Sequence, residues 1–152
     1  EHVRFDRVVE RAVGRAAQHW PRVRFTCDLA PVLVHGVPDR LHRAVANLLD
    51  NAGKYSPPGG EVEVRLTADG VLTVRDHGPG IAEKDLPHVF DRFYRAPEAR
   101  GRPGSGLGLA IVRQVVDGHG GTVTAAHAPG GGTVVRMVLP PSGVPVVTGV
   151  GS

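Results

Sequence analysis

The side chains with the clearest chemistry are two asparagines, a lysine and a tyrosine in the first half of the chain. Asn47 and Asn51 are four residues apart, so on a helix their amide oxygens point to the same side. Lys54 follows near that side and carries a compact positive charge suited to phosphate. Tyr55 adds a flat ring that can stack on a base. Because Mg²⁺ prefers oxygen ligands and shares its shell with substrate phosphates, this segment predicts a site for a metal-chelated nucleotide.

Two later segments combine glycine with groups that suit a bound nucleotide. Asp76 ends a strand-like run, and Gly78 and Gly80 after it let the backbone approach a ligand because they lack a Cβ. A second run opens a helix-like stretch, where backbone amides and the helix dipole favour an anion. Its residues are Gly104, Ser105, Gly106, Leu107 and Gly108. The chain has no Gly-Lys-Ser/Thr sequence, and this glycine spacing does not match the dinucleotide fingerprint.

Hydrophobic periodicity predicts the elements that position these residues. Apolar stripes at helical spacing predict three helices, over 5–20, from Pro38 through the asparagine segment, and over 107–118. Alternating patterns predict six strands, at 23–29, 32–35, 61–66, 71–75, 121–127 and 133–139. Strands in pairs separated by helices favour antiparallel hairpins and a two-layer α/β sandwich over a doubly wound fold.

Taken singly, each motif has an ordinary explanation, such as a helix cap, a turn after a strand or a loop before a helix. Taken in order, however, they resemble the boxes called N, G1, F, G2 and final Gly-Thr of the histidine-kinase ATP-binding domain. That domain belongs to the Bergerat-fold ATPases, with gyrase, Hsp90 and MutL. The segments that carry the resemblance are 47–55, 76–80, 90–95, 104–109 and 131–133. It covers residues 1–140, and we expect 141–152 to be a disordered tail.

The resemblance implies a Bergerat fold, a mixed and mainly antiparallel sheet covered on one face by about three helices, with ATP and Mg²⁺ as cofactors. Asn51 is then the magnesium ligand, and Asn47 supports the phosphate and metal shell. Lys54 and an arginine of the F box, Arg92 or Arg95, neutralise phosphate charge. Members that hydrolyse ATP have a water-activating glutamate where this chain has Asn47. An amide cannot accept that proton, which disfavours a gyrase-like hydrolase.

Asp76 is implied to read the base, since its carboxylate accepts a hydrogen bond from adenine N6 and guanine has an acceptor at that position. Thr133 is a candidate for a bond to Asp76 or to a water near adenine. The glycines of the G1 and G2 boxes complete the nucleotide-binding set.

The resemblance predicts a catalytic domain that transfers the γ-phosphoryl of ATP to a histidine on a separate helical dimerisation domain, from which a response regulator receives it. None of the eight histidines stands in a His-Glu/Asp-x-x-x-Pro context, so we expect the acceptor to precede this chain. Two alternatives remain open at this point. One is an anti-sigma-factor serine kinase of the same fold, and the other is a non-catalytic module that senses ATP.

Composition excludes several other classes. The net charge is +3 and the pI about 9.6, but the basic residues are scattered, which disfavours nucleic acid as a partner. No run of about 18 apolar residues and no signal peptide occur, so we expect no direct membrane contact of this chain. The resemblance implies a cytoplasmic domain of a membrane-anchored sensor. The histidine spacing does not indicate structural zinc. Cys27, the single cysteine, is predicted to be a small buried residue.

Overall fold

The computed structural model describes residues 1–91 and 108–143 of the chain. The described elements form a layer of three α-helices on a five-stranded sheet, with a separate pair of short strands. The helices are Phe5–His19 (α1), Pro38–Tyr55 (α2) and Gly108–Gly118 (α3). The short strands are His2–Arg4 (β1) and Leu33–His35 (β3), and a 3₁₀ turn covers Leu86–His88. The strands of the sheet are Arg24–Leu29 (β2), Glu61–Leu66 (β4), Val71–Arg75 (β5), Thr122–His127 (β6) and Thr133–Val138 (β7).

The five-stranded sheet is mixed and mainly antiparallel, as predicted. Its strand order is β2-β4-β5-β7-β6; β2 and β4 are parallel, and the other neighbouring pairs are antiparallel. Along β4, Val62 and Val64 are buried whereas Glu63 and Arg65 are exposed, so only one face of this strand joins the core. The helices pack on that side, with α2 in contact with α1, α3 and β5.

One strand pairing differs from the predicted hairpins. β2 and β3 are neighbours in sequence but lie in different sheets, because β2 pairs with β4 and β3 pairs antiparallel with β1. The Phe5 N–H donates to the Val32 carbonyl at 3.0 Å, which holds the start of β3 beside the start of α1. β1 is only three residues long, too short for an alternating pattern to reveal it.

The prediction that Cys27 is buried is wrong, because its side chain is exposed. β2 is an edge strand of the sheet. Phe25 and Leu29, on the same side of β2, pack only partly against the core, so the helix layer covers this edge strand incompletely. Partial burial, with a smaller contribution from the Glu10 carboxylate, raises the pKa of the Cys27 thiol. A raised pKa disfavours the thiolate, so exposure here does not indicate a reactive cysteine.

α2 is the element that carries the asparagines. Pro38 occupies its first turn, where a missing N–H costs nothing, and Asp39 beside it suits the positive end of the helix dipole. Its buried stripe packs into the core and consists of Leu41, Ala44, Val45, Leu48, Leu49, Ala52 and Gly53. The remaining face carries Asn47 and Asn51, both half-buried. Packing of the stripe therefore sets the direction in which the two amides point.

The chain after β7 keeps contact with the fold for a few residues. Pro141 forms an antiparallel bridge with Val34, and the Ser142 N–H donates to the Leu33 carbonyl at 2.8 Å. Residues 144–152 lie outside the described part, so the disordered tail predicted for 141–152 stays a prediction. Among the described residues, no helix combines the length and the hydropathy needed to cross a membrane.

Asp6 joins the start of α1 to β1 and to the loop before β3. Arg4 donates to both of its carboxylate oxygens, at 2.9 and 2.7 Å, and the Val32 N–H donates to Oδ1 at 3.3 Å. Burial by itself raises the pKa of Asp6, but the bonds from Arg4 and Val32 outweigh it, so this pKa lies below its ordinary value. The ionised carboxylate therefore stabilises the folded state.

We expect Asp6→Asn to lower the free energy of unfolding at pH 7 by about 1 kcal/mol, because a charged bidentate pair becomes a neutral contact. The folded pKa of Asp6 is depressed, so its contribution is present above the unfolded pKa and is lost as pH falls through the folded one. Urea unfolding at pH 7 and at pH 3 measures both effects. Asp28→Asn, an exposed aspartate on β2, is the control and should change little. Equal stability of Asp6→Asn and the wild type at pH 7 would contradict the assignment.

Candidate functional site

The C-terminal end of α2 lies against the loop that follows β5. A Cβ on Gly78 would lie 2.5 Å from the carbonyl oxygen of Tyr55, so the two backbones are in direct contact. α2 ends at this point because Ser56 precedes Pro57 and has an extended backbone, with ψ of 139°. The Ser56 N–H and Oγ both donate to the Ala52 carbonyl, at 3.1 and 2.8 Å. Two segments that the sequence predicts to share a site, the one around Asn51 and the one around Gly78, are thus adjacent in the fold.

Asp76 is the buried carboxylate of this region, with 8% of its surface exposed. Its Oδ1 accepts the N–H of Gly78 at 2.9 Å and the N–H of Thr133 at 3.3 Å. Burial raises the pKa of Asp76, and the two backbone N–H groups oppose that rise. Both bonds go to Oδ1, which leaves Oδ2 as the oxygen that can accept a hydrogen bond from a ligand. The arrangement provides one oriented acceptor in a water-poor setting.

Thr133 contacts Asp76 as predicted, but through its backbone. The Asp76 N–H donates to the Thr133 carbonyl at 2.9 Å, and the Thr133 N–H donates back to the carboxylate. Thr133 is itself buried, at 5% exposure. The pair therefore extends the β5–β7 ladder by one step past Arg75 and holds the carboxylate in place.

Gly132 is a residue whose role the sequence motif did not reveal. It has φ of +86°, in the region that favours glycine, and a Cβ there would overlap the Asp76 carbonyl. Gly80, also at positive φ of +80°, is nearby, since a Cβ there would lie 3.7 Å from the Gly132 carbonyl oxygen, an ordinary contact distance. The missing side chain of Gly132 is therefore what lets the loop after β5 and the loop before β7 pack together around Asp76. Only the Gly-Gly-Thr sequence hinted at this contact.

Of the cationic and G2-box residues predicted to bind phosphate, the structure describes only Lys54 and Gly108. Lys54 is half-buried in the last turn of α2, and its Nζ lies 5.7 Å from the centre of the Tyr55 ring, within cation–π range. Gly108 is the first residue of α3, where the sequence predicts a helix to open. The others lie outside the described residues, and their roles stay predictions: Arg92, Arg95, Gly104, Ser105, Gly106 and Leu107. Just before them, Val89 and Phe90 are buried in the core.

Three side chains on the open face of the sheet lie close enough to hold a metal ion: Glu61, Glu63 and His77. The His77 Nε2 is 2.8 Å from Glu63. Each carboxylate also faces a guanidinium, with Arg24 at 3.4 Å from Glu61 and Arg75 at 4.0 Å from Glu63. Because arginine charges already neutralise the glutamates, we assign this group to an ion-pair network. The magnesium site predicted on the face of α2 that carries Asn47 and Asn51 stays a prediction.

Known proteins resemble this chain in sequence and in fold. A family model described as "Histidine kinase-, DNA gyrase B-, and HSP90-like ATPase" matches residues 36–143. The signal transduction histidine-protein kinase/phosphatase MprB of Mycolicibacterium vanbaalenii is 46% identical over 148 residues, which is 92% of this chain and 31% of that protein. MprB of Mycobacterium ulcerans is 45% identical, with 92% and 29% covered. This chain therefore spans about a third of the length of these relatives.

Solved structures give the same result. A mycobacterial sensor histidine kinase MprB superposes with a TM-score of 0.86 at 42% identity, covering 93% of this chain and 98% of that one. The ATP binding domain of PrrB from Mycobacterium tuberculosis superposes with a TM-score of 0.72 at 27% identity, covering 92% and 96%. The two-layer fold with a mixed, mainly antiparallel sheet and three helices is thus confirmed, as is the resemblance found in the motifs. The chain belongs to the family of histidine kinase-, DNA gyrase B-, and HSP90-like ATPases.

Proposed function

We propose that residues 1–140 are the ATP-binding catalytic domain of a sensor histidine kinase. The observation that carries the proposal is the buried Asp76 carboxylate, fixed through Oδ1 by two backbone N–H groups and adjoining the end of α2. Oδ2 accepts the N6 amino group of adenine. The loop after Asp76 depends on glycine at two positions, because a side chain at Gly78 would meet the Tyr55 carbonyl and one at Gly80 would need a strained φ.

The face of α2 beside this carboxylate fits a triphosphate with a divalent ion. Asn51 and Asn47 offer neutral oxygens, which suit an ion whose charge the phosphates already balance. Lys54, in the same last turns, offers a positive charge. Bound Mg²⁺ would neutralise charge on the transferring phosphoryl group. The role of these residues is positioning, because they hold the nucleotide so that its terminal phosphate faces an incoming acceptor.

The phosphoryl acceptor in this proposal is a histidine of a helical dimerisation domain in the same full-length protein, and a response regulator receives the group next. The relatives named above are histidine-protein kinases, and each extends well beyond the region matched here. We place the domain in the cytoplasm of a membrane-anchored sensor. The similarity to MprB kinases over 92% of the chain does not favour a serine kinase or a non-catalytic sensor.

Asn51→Ala tests the nucleotide site. We expect the affinity for Mg·ATP to fall at least about tenfold, or about 1.4 kcal/mol, because the metal loses its protein ligand. Calorimetric titration with and without EDTA measures this, and the difference from the wild type should disappear without Mg²⁺. Gln18→Ala, an exposed amide on α1, is the matched control and should bind as the wild type does. Unchanged Mg·ATP affinity in Asn51→Ala would reject the metal assignment.

The transfer step is tested with the full-length protein and γ-labelled ATP. Label that is lost in acid and kept in base identifies phosphohistidine. Acid-stable label on a serine would favour the serine kinase, and binding without label would favour the sensing module.

A further inference from the structure

The ring of Trp20, at the end of α1, packs on the backbone of α2 at Gly53. A Cβ on Gly53 would lie 2.6 Å from Cδ1 and 2.7 Å from Cγ of Trp20, so the indole occupies the space of a side chain. The Trp20 Nε1–H also donates to Asp50 Oδ1 at 3.0 Å. One side chain thus contacts α2 at two positions three residues apart, which lie on one face of the helix.

Each of those two positions is next in sequence to a residue of the proposed nucleotide site. Asp50 immediately precedes Asn51, and Gly53 immediately precedes Lys54. At 100° per residue, the Asp50–Gly53 face lies directly beside the face that carries Asn51 and Lys54.

Trp20 is itself held by the backbone around it. Its N–H donates to the Ala16 carbonyl at 2.8 Å, and its carbonyl accepts the Val23 N–H at 3.0 Å. The loop after α1 is tied to the loop after α2, since the Gly59 N–H donates to the Arg22 carbonyl at 2.7 Å. These bonds fix the backbone of Trp20, and its partly buried ring is held by the contacts with Gly53 and Asp50.

The last residue of α2, Tyr55, contacts the loop that follows β5 and begins with Asp76. The Tyr55 carbonyl touches Gly78, and the Gly78 N–H is one of the two donors to the Asp76 carboxylate. The last turn of α2 thus contacts Trp20 at Gly53 and Gly78 at Tyr55. A displacement of this turn would therefore also change the contact with Gly78, which donates to the Asp76 carboxylate.

We propose that Trp20 is a positioning residue, which sets the last turn of α2 and through it the places of Asn51, Lys54 and Asp76. This inference rests on the proposed function of the site. It also predicts that the effects of substitutions at Gly53 and Trp20 depend on each other, because the Trp20 ring fills the space that a side chain at Gly53 would need.

Gly53→Ala tests the inference, because it adds a methyl group in the space that the Trp20 ring occupies. We expect the Mg·ATP affinity to fall about tenfold, because the turn must move away from the indole. Trp20→Leu combined with Gly53→Ala should restore most of that affinity by making room. Gly14→Ala is the matched control, since Gly14 is also inside a helix but a Cβ there meets nothing within 4 Å. Val9→Ala, a fully buried α1 residue, controls for lost stability alone and should leave affinity unchanged.

Trp20 is the only tryptophan, so its fluorescence reports on the contact directly. Mg·ATP should change its emission in the wild type, and not in Asn51→Ala. If Gly53→Ala binds Mg·ATP as the wild type does, or if Trp20→Leu fails to restore the affinity, the inference is rejected while the nucleotide site stands. If the wild type binds no Mg·ATP, the proposed function itself fails.

Discussion

Asp76→Asn is expected to weaken ATP binding by about 10- to 150-fold, which corresponds to the about 1.5–3 kcal/mol of a hydrogen bond to a charged group. The asparagine keeps an oxygen for the N–H groups of Gly78 and Thr133, which now bond to Oδ1 at 2.9 and 3.3 Å. It replaces Oδ2 with an NH₂ group. Two donors then face each other where the carboxylate oxygen had accepted the adenine N6 proton.

The same substitution is expected to change base preference and to leave the fold intact. An NH₂ group can donate to guanine O6, so Asp76→Asn should lose much of its discrimination against GTP. Burial disfavours the ionised form of Asp76 and raises its pKa, so a neutral amide relieves a desolvation cost. We expect the free energy of unfolding to stay the same or to rise. Competition binding with ATP and GTP, together with urea unfolding, measures both.

The raised pKa of Asp76 also gives a pH dependence for binding. The ionised form accepts the adenine proton, so ATP affinity should fall as pH falls through this pKa. Because the pKa is raised, the fall begins at a higher pH than an ordinary aspartate would give. Asp85→Asn, on the following loop, should follow the wild-type profile. An Asp76→Asn protein with wild-type ATP affinity and wild-type selectivity would reject the assignment of this residue to the base.

Local patterns predicted the parts of this fold that depend on local physics. The apolar stripe of α2 predicted a helix from Pro38 with about three turns over 41–51, and the shared face of Asn47 and Asn51, because burial of one side of a helix fixes the direction of the other. The helix continues to Tyr55, about one turn past that stretch. Alternation predicted β4 and β5, and with them Asp76 just past the end of β5. The order of the motifs along the chain then indicated the family.

Contacts between distant segments were beyond such patterns. Alternation shows which face of a strand is buried but not which strand is its partner, so the parallel pairing of β2 with β4 was missed. The exposure of Cys27 depends on how completely the helix layer covers the edge strand β2, which no local pattern records. Trp20 and Gly53 are separated by 33 positions, and the motif around Asn51 gives no reason to look at Trp20.

Gly132→Ala is expected to be the most damaging single change near the site, while Gly131→Ala is its matched control. Both glycines have positive φ, +86° at Gly132 and +113° at Gly131, so each alanine brings backbone strain of about 1–3 kcal/mol. A Cβ on Gly131 meets nothing within 4 Å, whereas one on Gly132 would overlap the Asp76 carbonyl. Both variants therefore have backbone strain, but only Gly132→Ala also has the steric overlap with Asp76.

We expect Gly132→Ala to lower the free energy of unfolding by at least about 3 kcal/mol, since a backbone atom cannot move aside as a flexible side chain can. Relief of the overlap must part β7 from the β5 loop, which breaks the Asp76–Thr133 pair of hydrogen bonds. ATP affinity should then fall even where the protein is still folded, whereas Gly131→Ala should bind nearly normally. Thermal unfolding and ATP titration at low temperature separate the two effects. Equal stability and equal ATP affinity of the two alanine variants would contradict this prediction. The close contact between Gly132 and Asp76 would then not be needed to hold the Asp76 carboxylate in place.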